Sequence, residues 1–204
     1  MKLVVVHNHF RPGGVRRVIE LAVPHLVRVL PPRVSAVVLL AGEAPDALWL
    51  NRFQGGLGSL LVIVRTGAAL SYVAEQRLTP AVRARRIGIF FADVFDTTHG
   101  NGCVVWAHNQ GLGRDLALTR ALAQACAIRD FPLVFHHHDW WFDNRWQRWP
   151  EMRRAGFRTL AQVGAAILPA ASGFRYAAIN QADAAVLRRH FRRQTGWLPN
   201  LADA

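Results

Sequence analysis

Four short, almost wholly apolar runs in this chain each end in histidine or asparagine, and this arrangement restricts the possible folds more than any other feature of its 204 residues. Residues 2–7 close on His7-Asn8-His9, and Cys103 to Ala107 closes on His108-Asn109. Leu133 to His136 opens into His137-His138-Asp139, and Tyr176 to Ile179 closes on Asn180. A run without a polar face suits a strand buried on both sides, as in a parallel sheet. Between the runs, apolar residues recur at helical spacing. Val15, Val18, Ile19, Ala22, Leu26 and Val29 form one such series, stopped by Pro31-Pro32. Leu116, Leu118, Ala121, Leu122, Ala125 and Ile128 form a second, and Ala182, Ala185 and Val186 a third, with Asn180 as its N-cap. Two further strands are expected over Val34 to Leu40 and Leu60 to Val64, the latter after the glycine-rich loop Gly55-Gly56-Leu57-Gly58. A helix is expected over Ala68 to Arg86, broken near Thr79-Pro80. The alternation predicts an α/β, Rossmann-like three-layer domain with a mainly parallel sheet and an interior first strand. Ligands of such sheets bind beyond the carboxyl ends of the strands, where all four polar endings fall.

The length suits one well-buried domain. Cys103 and Cys126 give neither a disulfide framework nor a zinc pattern and read as buried thiols. The apolar start after Met1 meets His7 to Arg11 too soon for a signal peptide, and no apolar stretch reaches the roughly 20 residues of a membrane span. A soluble, cytoplasmic protein is expected. Its formal net charge is +12, and every basic residue except Lys2 is arginine. Such a surplus fills solvated surface or meets an anionic partner. No recognition motif supports nucleic acid, which is therefore not expected as a partner. Two clusters, Arg145-Arg148-Arg153-Arg154 and Arg188-Arg189-Arg192-Arg193, suit weak peripheral binding to an anionic membrane at its inner face, against the plainer reading of solvated surface.

Three segments carry chemistry. Gly13 and Gly14 stand between a strand and a helix, where backbone N–H groups and the helix N-terminus favour an anion such as phosphate, with Arg16 just beyond. The alternative is a tight turn with no ligand. This is not the dinucleotide fingerprint, because no acidic residue ends the second strand at Leu39-Leu40-Ala41. In His136-His137-His138-Asp139, extended geometry points His136 and His138 one way and His137 the other. A histidine at a strand end beside an aspartate can hydrogen-bond a sugar hydroxyl or steady developing charge. The rival is a metal-dependent hydrolase using His136, His138 and Asp139, but that site needs more ligands from later strands and only His190 follows. No metal and no cofactor are expected. Finally, four of the seven tryptophans lie among arginines between Trp140 and Trp149, a composition suited to sugar stacking, phosphate pairing or a membrane interface as well as to core packing.

Taken together, these segments resemble the N-terminal domain of family 4 glycosyltransferases of the GT-B fold. Val4 to Val18, with its Gly13-Gly14 turn, is similar to the family's opening; Val104-Val105-Trp106-Ala107-His108-Asn109 resembles its histidine-asparagine strand end. His136-His137-His138-Asp139-Trp140 matches the element that faces the transferred sugar, Tyr176 to Asp183 the last strand and helix of this half, and Trp197-Leu198-Pro199-Asn200 the linker to the second half. The resemblance implies an acceptor-side domain over residues 1–200, with residues 201–204 starting the linker. It implies a retaining transfer of sugar from a nucleotide-sugar donor to a sugar or lipid-linked acceptor. It assigns His138 and Asp139 to catalysis, and Gly13, Gly14, Arg16, His108, Asn109, His136, Arg145 and Asn180 to substrate binding. The family's donor-binding domain, with its Glu-x7-Glu element, has no counterpart in this sequence. Catalysis is therefore expected to need a second GT-B domain, in a continued or separate chain. The alternative is a stand-alone binding domain of the same fold.

Overall fold

The structure is a computed structural model that describes residues 1–97, 102–141 and 149–200. Arg145 and Arg148, singled out above, lie outside the described residues. The elements run β1 (Lys2–Val6), α1 (Gly14–Val29), β2 (Ala36–Ala41), α2 (Ala47–Gly56), β3 (Leu61–Thr66), α3 (Pro80–Asp96), β4 (Cys103–His108), α4 (Leu116–Ile128), β5 (Leu133–His137), α5 (Trp149–Arg154), α6 (Leu160–Ile167), β6 (Phe174–Ala178), α7 (Gln181–Phe191) and β7 (Thr195–Trp197). The strands form one sheet in the order β3-β2-β1-β4-β5-β6-β7, and every pairing is parallel. This is the expected Rossmann-like α/β architecture with β1 interior.

Side-chain alternation along β1 shows how the layers are built. Leu3 and Val5 join an apolar cluster with Val18, Ile19 and Val23 of α1 and with Trp49 and Phe53 of α2. Val4 and Val6 face the opposite way, into a larger cluster with Phe91 and Phe95 of α3, Leu118 and Leu122 of α4, Val163 and Ile167 of α6, and Leu187 of α7. Burying a large apolar side chain stabilises by roughly 1.5–3 kcal/mol, so both layers are strongly held.

Side-chain caps define most helix starts. Asp46 accepts the N–H of Trp49 at α2, Asp115 that of Leu118 at α4, and Asn180 that of Asp183 at α7. Thr159 and Gln162 form a reciprocal capping box at α6. Helix α1 has no such cap: no side chain caps it, and its first turn holds no acidic residue.

One stretch departs from the sequence expectation. Ala68 to Arg86 is not a helix with a break. Ala68–Leu70 and Val73–Glu75 are single 3-10 turns, and the long helix starts at Pro80 rather than stopping there. The Thr79 hydroxyl accepts the N–H of Val82, and Pro80 takes the first helical position, where its missing N–H costs nothing.

Among the described residues, no helix is long and apolar enough to cross a membrane. The second arginine cluster is partly structural. Arg188 donates to the carbonyl of Thr195 and Arg193 to that of Leu168, leaving Arg189 and Arg192 as its outward charges.

Candidate functional site

The chain adds β2 and β3 on one side of β1, then crosses back to place β4 to β7 on the other. The carboxyl ends of β1 and β4 therefore flank a topological switch point, the place where ligands of open α/β sheets enter the crevice between diverging loops. His7 follows β1 and His108 ends β4. The His7 Nδ1–H donates to the backbone carbonyl of His108 at 3.3 Å, closing the floor of the crevice. His9 packs edge-on against His7 on one side and Tyr72 on the other. The Arg114 guanidinium lies over the Tyr72 ring, 4.6 Å from its centre. The short 3-10 turns after β3 thus form one wall of the crevice, and the loop before α4 supplies its cation.

The opposite wall is histidine. In the parallel register His108 of β4 sits beside His136 of β5, and His138 follows two residues later on the same face. His108 Nδ1 and His138 Nε2 are 3.2 Å apart. The His136 ring stacks on Trp106 and donates from Nε2 to the carbonyl of Leu198 at 3.0 Å. His137 points to the other face, as the alternation predicts, and packs between Phe135, Tyr176 and Trp140. Burial holds His7, His136 and His137 down to about 3, and the nearby histidines add to the effect. His138 is pushed down to about 4 by burial, opposed by the Asp139 carboxylate. His108 is also driven well below the ordinary imidazole range by burial. At neutral pH this wall consists of uncharged imidazoles, and the positive charge in the crevice comes from Arg114.

Asn109 and Asp139 tie the two strand ends together. Asn109 Nδ2 donates to Asp139 Oδ2 at 2.9 Å, and the Asp139 N–H donates back to Asn109 Oδ1 at 3.0 Å. Asn109 adopts left-handed backbone geometry, φ 59°, which asparagine tolerates better than most residues. The pair therefore ties the chain leaving β5 to the end of β4.

Gly13 and Gly14 lie beyond the same edge of the sheet, at the start of α1. A Cβ at Gly14 would meet no protein atom within 4 Å, and one at Gly13 would only graze the carbonyl of Arg11 at 4.0 Å. The protein's own packing does not require glycine at either position.

The structure thus brings His108, Asn109, His136, His138 and Asp139 into one contact network, with Gly13 and Gly14 beyond the same edge. Two other expected residues have structural employment. Arg16 pairs with Asp46 at 2.5 Å and lies over Trp49, which ties α1 to α2. The Asn180 amide is engaged with Asp183 as the cap of α7. His7, His9, Tyr72 and Arg114 belong to the crevice and were not among the expected site residues. His7 and His9 could have been chosen for their position after β1. Tyr72 and Arg114 join only through tertiary folding.

No family model and no solved structure matches the chain. It is 26% identical over 85 residues to the mannosylglucosyl-3-phosphoglycerate synthase of Petrotoga mobilis. That stretch covers 42% of this chain and 15% of that enzyme. The likeness is a distant one, to an enzyme named for making a sugar-bearing phosphoglycerate.

Proposed function

We propose that this chain is the N-terminal, acceptor-side domain of a retaining GT-B glycosyltransferase of the family 4 type. In this reading it works with a second domain that binds a nucleotide-sugar donor. The observation that carries the reading is the uncapped N-terminus of α1, with two glycines that the protein's packing leaves free, beside a crevice of neutral histidines at the switch point. Exposed backbone N–H groups and the helix dipole favour a phosphate there, and Arg114 adds a cation. His138, partly exposed and beside Asp139, offers a neutral ring to a sugar hydroxyl, and His136 and His108 back it. The distant likeness to a synthase of a glycosylated phosphoglycerate supports sugar transfer and a substrate that combines sugar with phosphate. Acceptors that are lipid-linked and phosphorylated fit the same chemistry.

The test is ligand binding to this chain by NMR shift perturbation, which detects weak complexes. The probes are inorganic phosphate and 3-phosphoglycerate, because the nucleotide-sugar donor belongs to the second domain. At least one should perturb the signals of Gly13, Gly14 and His138. Gly14→Asp, which places a carboxylate at the helix N-terminus, and Arg114→Gln should each weaken binding about tenfold, the loss expected for one charged hydrogen bond. Unchanged spectra with both probes, or equal affinity in both variants, would overturn the proposal.

A further inference from the structure

The three histidines on one face of β4 and β5 have a capacity that sugar transfer does not use. His108, His136 and His138 each present one ring nitrogen, and these atoms lie within 4.8 Å of one another. A tetrahedral dication bound at roughly 2.0–2.1 Å to imidazole nitrogens holds them about 3.4 Å apart. The His108 Nδ1 to His138 Nε2 separation of 3.2 Å is already at that spacing. Small side-chain rotations close the remaining gap.

The hydrogen bonding points the same way. His136 donates its Nε2 proton to the Leu198 carbonyl, which leaves Nδ1 as its lone pair. That Nδ1 is buried and has no hydrogen-bond partner among the described residues. A backbone carbonyl that fixes the tautomer of one ring nitrogen is the usual outer partner of a metal-bound histidine. A buried imidazole nitrogen without a partner costs stability, and a cation that accepts its lone pair removes that cost. Register explains how the site arises. A cross-strand neighbour plus an i, i+2 pair puts three rings at the corners of a triangle on one sheet face. The third ligand, His108, comes from β4, the strand before the histidine run, and not from the residues after position 139.

We propose that His108, His136 and His138 form a binding site for a borderline transition-metal dication of the zinc class, with a fourth position open to water or a ligand on the side of partly exposed His138. The donor set is all nitrogen, and the nearby carboxylate, Asp139, is held by Asn109. Magnesium and calcium, which require oxygen ligands, are therefore not the expected ions. The site rests on the imidazoles alone and stands independently of the transferase reading.

The test uses the protein with any affinity tag removed, stripped with chelator and titrated with cobalt(II), a spectroscopic stand-in for zinc. The expected result is uptake of one equivalent with the intense visible bands of tetrahedral cobalt, displaced by zinc. His138→Gln should weaken binding about tenfold or more, while His190→Gln, on the exposed side of α7, should leave it unchanged. If His138→Gln lowers the circular dichroism signal, the wild-type protein decides. Zinc should then shift the imidazole NMR signals of His108, His136 and His138 ahead of those of His9, His25 and His190. Absence of stoichiometric uptake by the wild type, uptake that His138→Gln leaves intact, or shifts confined to the exposed histidines would each overturn the site. Metal uptake without binding of phosphate or 3-phosphoglycerate would leave this site standing and remove the transferase proposal. Binding of either probe without metal uptake would do the reverse.

Discussion

Two glycine turns lie beyond the same edge of the sheet and are built on opposite principles. The turn after β4 is packed. A Cβ at Gly111 would sit 2.5 Å from His137 Nδ1 and 2.9 Å from the carbonyl of Asp139. Gly113 has φ +69°, and its Cβ would lie 2.5 Å from Met152. Asp115, which follows, caps α4 and forms a two-pronged, fully buried ion pair with Arg83 of α3. The turn after β1 is empty by comparison: a Cβ at Gly14 would meet nothing, one at Gly13 only the Arg11 carbonyl at 4.0 Å, and no side chain caps the helix they open. Where glycine is required by contact, it serves the fold. Where it is required by nothing in the protein, it is free to serve a ligand.

The largest effect expected on this contrast is that of acid, which attacks the packed side. His7, His136, His137 and His138 have folded-state values of about 3, 3, 3 and 4, against 6.5 for the free side chain. The unfolded chain binds these protons first, so the stability present above pH 6.5 is lost as pH falls toward the folded-state values. Each group contributes a slope of about 1.4 kcal/mol per pH unit. The four groups act in the same direction, so the loss by pH 5 should be a large share of the stability of a domain of this size. The metal-free protein should unfold cooperatively near pH 5, followed by circular dichroism in chelator. A urea midpoint equal at pH 7 and pH 5 would show that the histidines are not buried neutral.

Next in size is the ion pair. Asp115→Ala leaves the Arg83 guanidinium buried without its carboxylate and removes the α4 cap, and should cost about 3–5 kcal/mol in urea unfolding. A loss below 1 kcal/mol would mean that water reaches Arg83. Gly111→Ala should cost about 1–3 kcal/mol, because the backbone of Asp139 must move. It should also disturb the His138 ring signal, which a purely local turn defect would leave alone. Smallest is Gly14→Ala, which should leave the thermal midpoint unchanged or raise it by the equivalent of about 0.5 kcal/mol. If it destabilises as much as Gly111→Ala, the two turns are not different in kind.

Strands β1 to β6 are legible in the sequence because they are continuous apolar runs, and the polar endings of β1, β4 and β5 mark the edge of the candidate site; β7 is not legible, because Thr195-Gly196-Trp197 is short and mixed and Trp197 reads as the start of a linker. The opposed directions of His137 and its neighbours followed from strand geometry alone. Helix α2 was hidden because Gly55 and Gly56, at its last turn, read as loop. Helix α3 differs from the expected span because Thr79-Pro80 is a start signal rather than an interruption: Thr79 caps the helix and Pro80 takes its first position. Within the site, no local pattern connects Tyr72 or Arg114 to His9. Their meeting depends on how the 3-10 turns after β3 and the loop before α4 pack. Arg16 and Asn180 were polar and correctly placed along the chain, but partners on neighbouring turns had already claimed their side chains.

The crevice is assembled from parts of the chain that are far apart. His7 and the carbonyl it meets are separated by 101 positions, and His136 and the Leu198 carbonyl by 62. Closing loops of that size is slow compared with forming any one helix or strand pair. The units on either side of the switch point can each gain order before the imidazoles meet. During refolding the ring protons of His7, whose contact with His108 spans the switch point, should therefore reach their native positions with the slowest phase, after far-ultraviolet ellipticity has recovered. This makes the site a clock for the final docking of the two halves of the sheet.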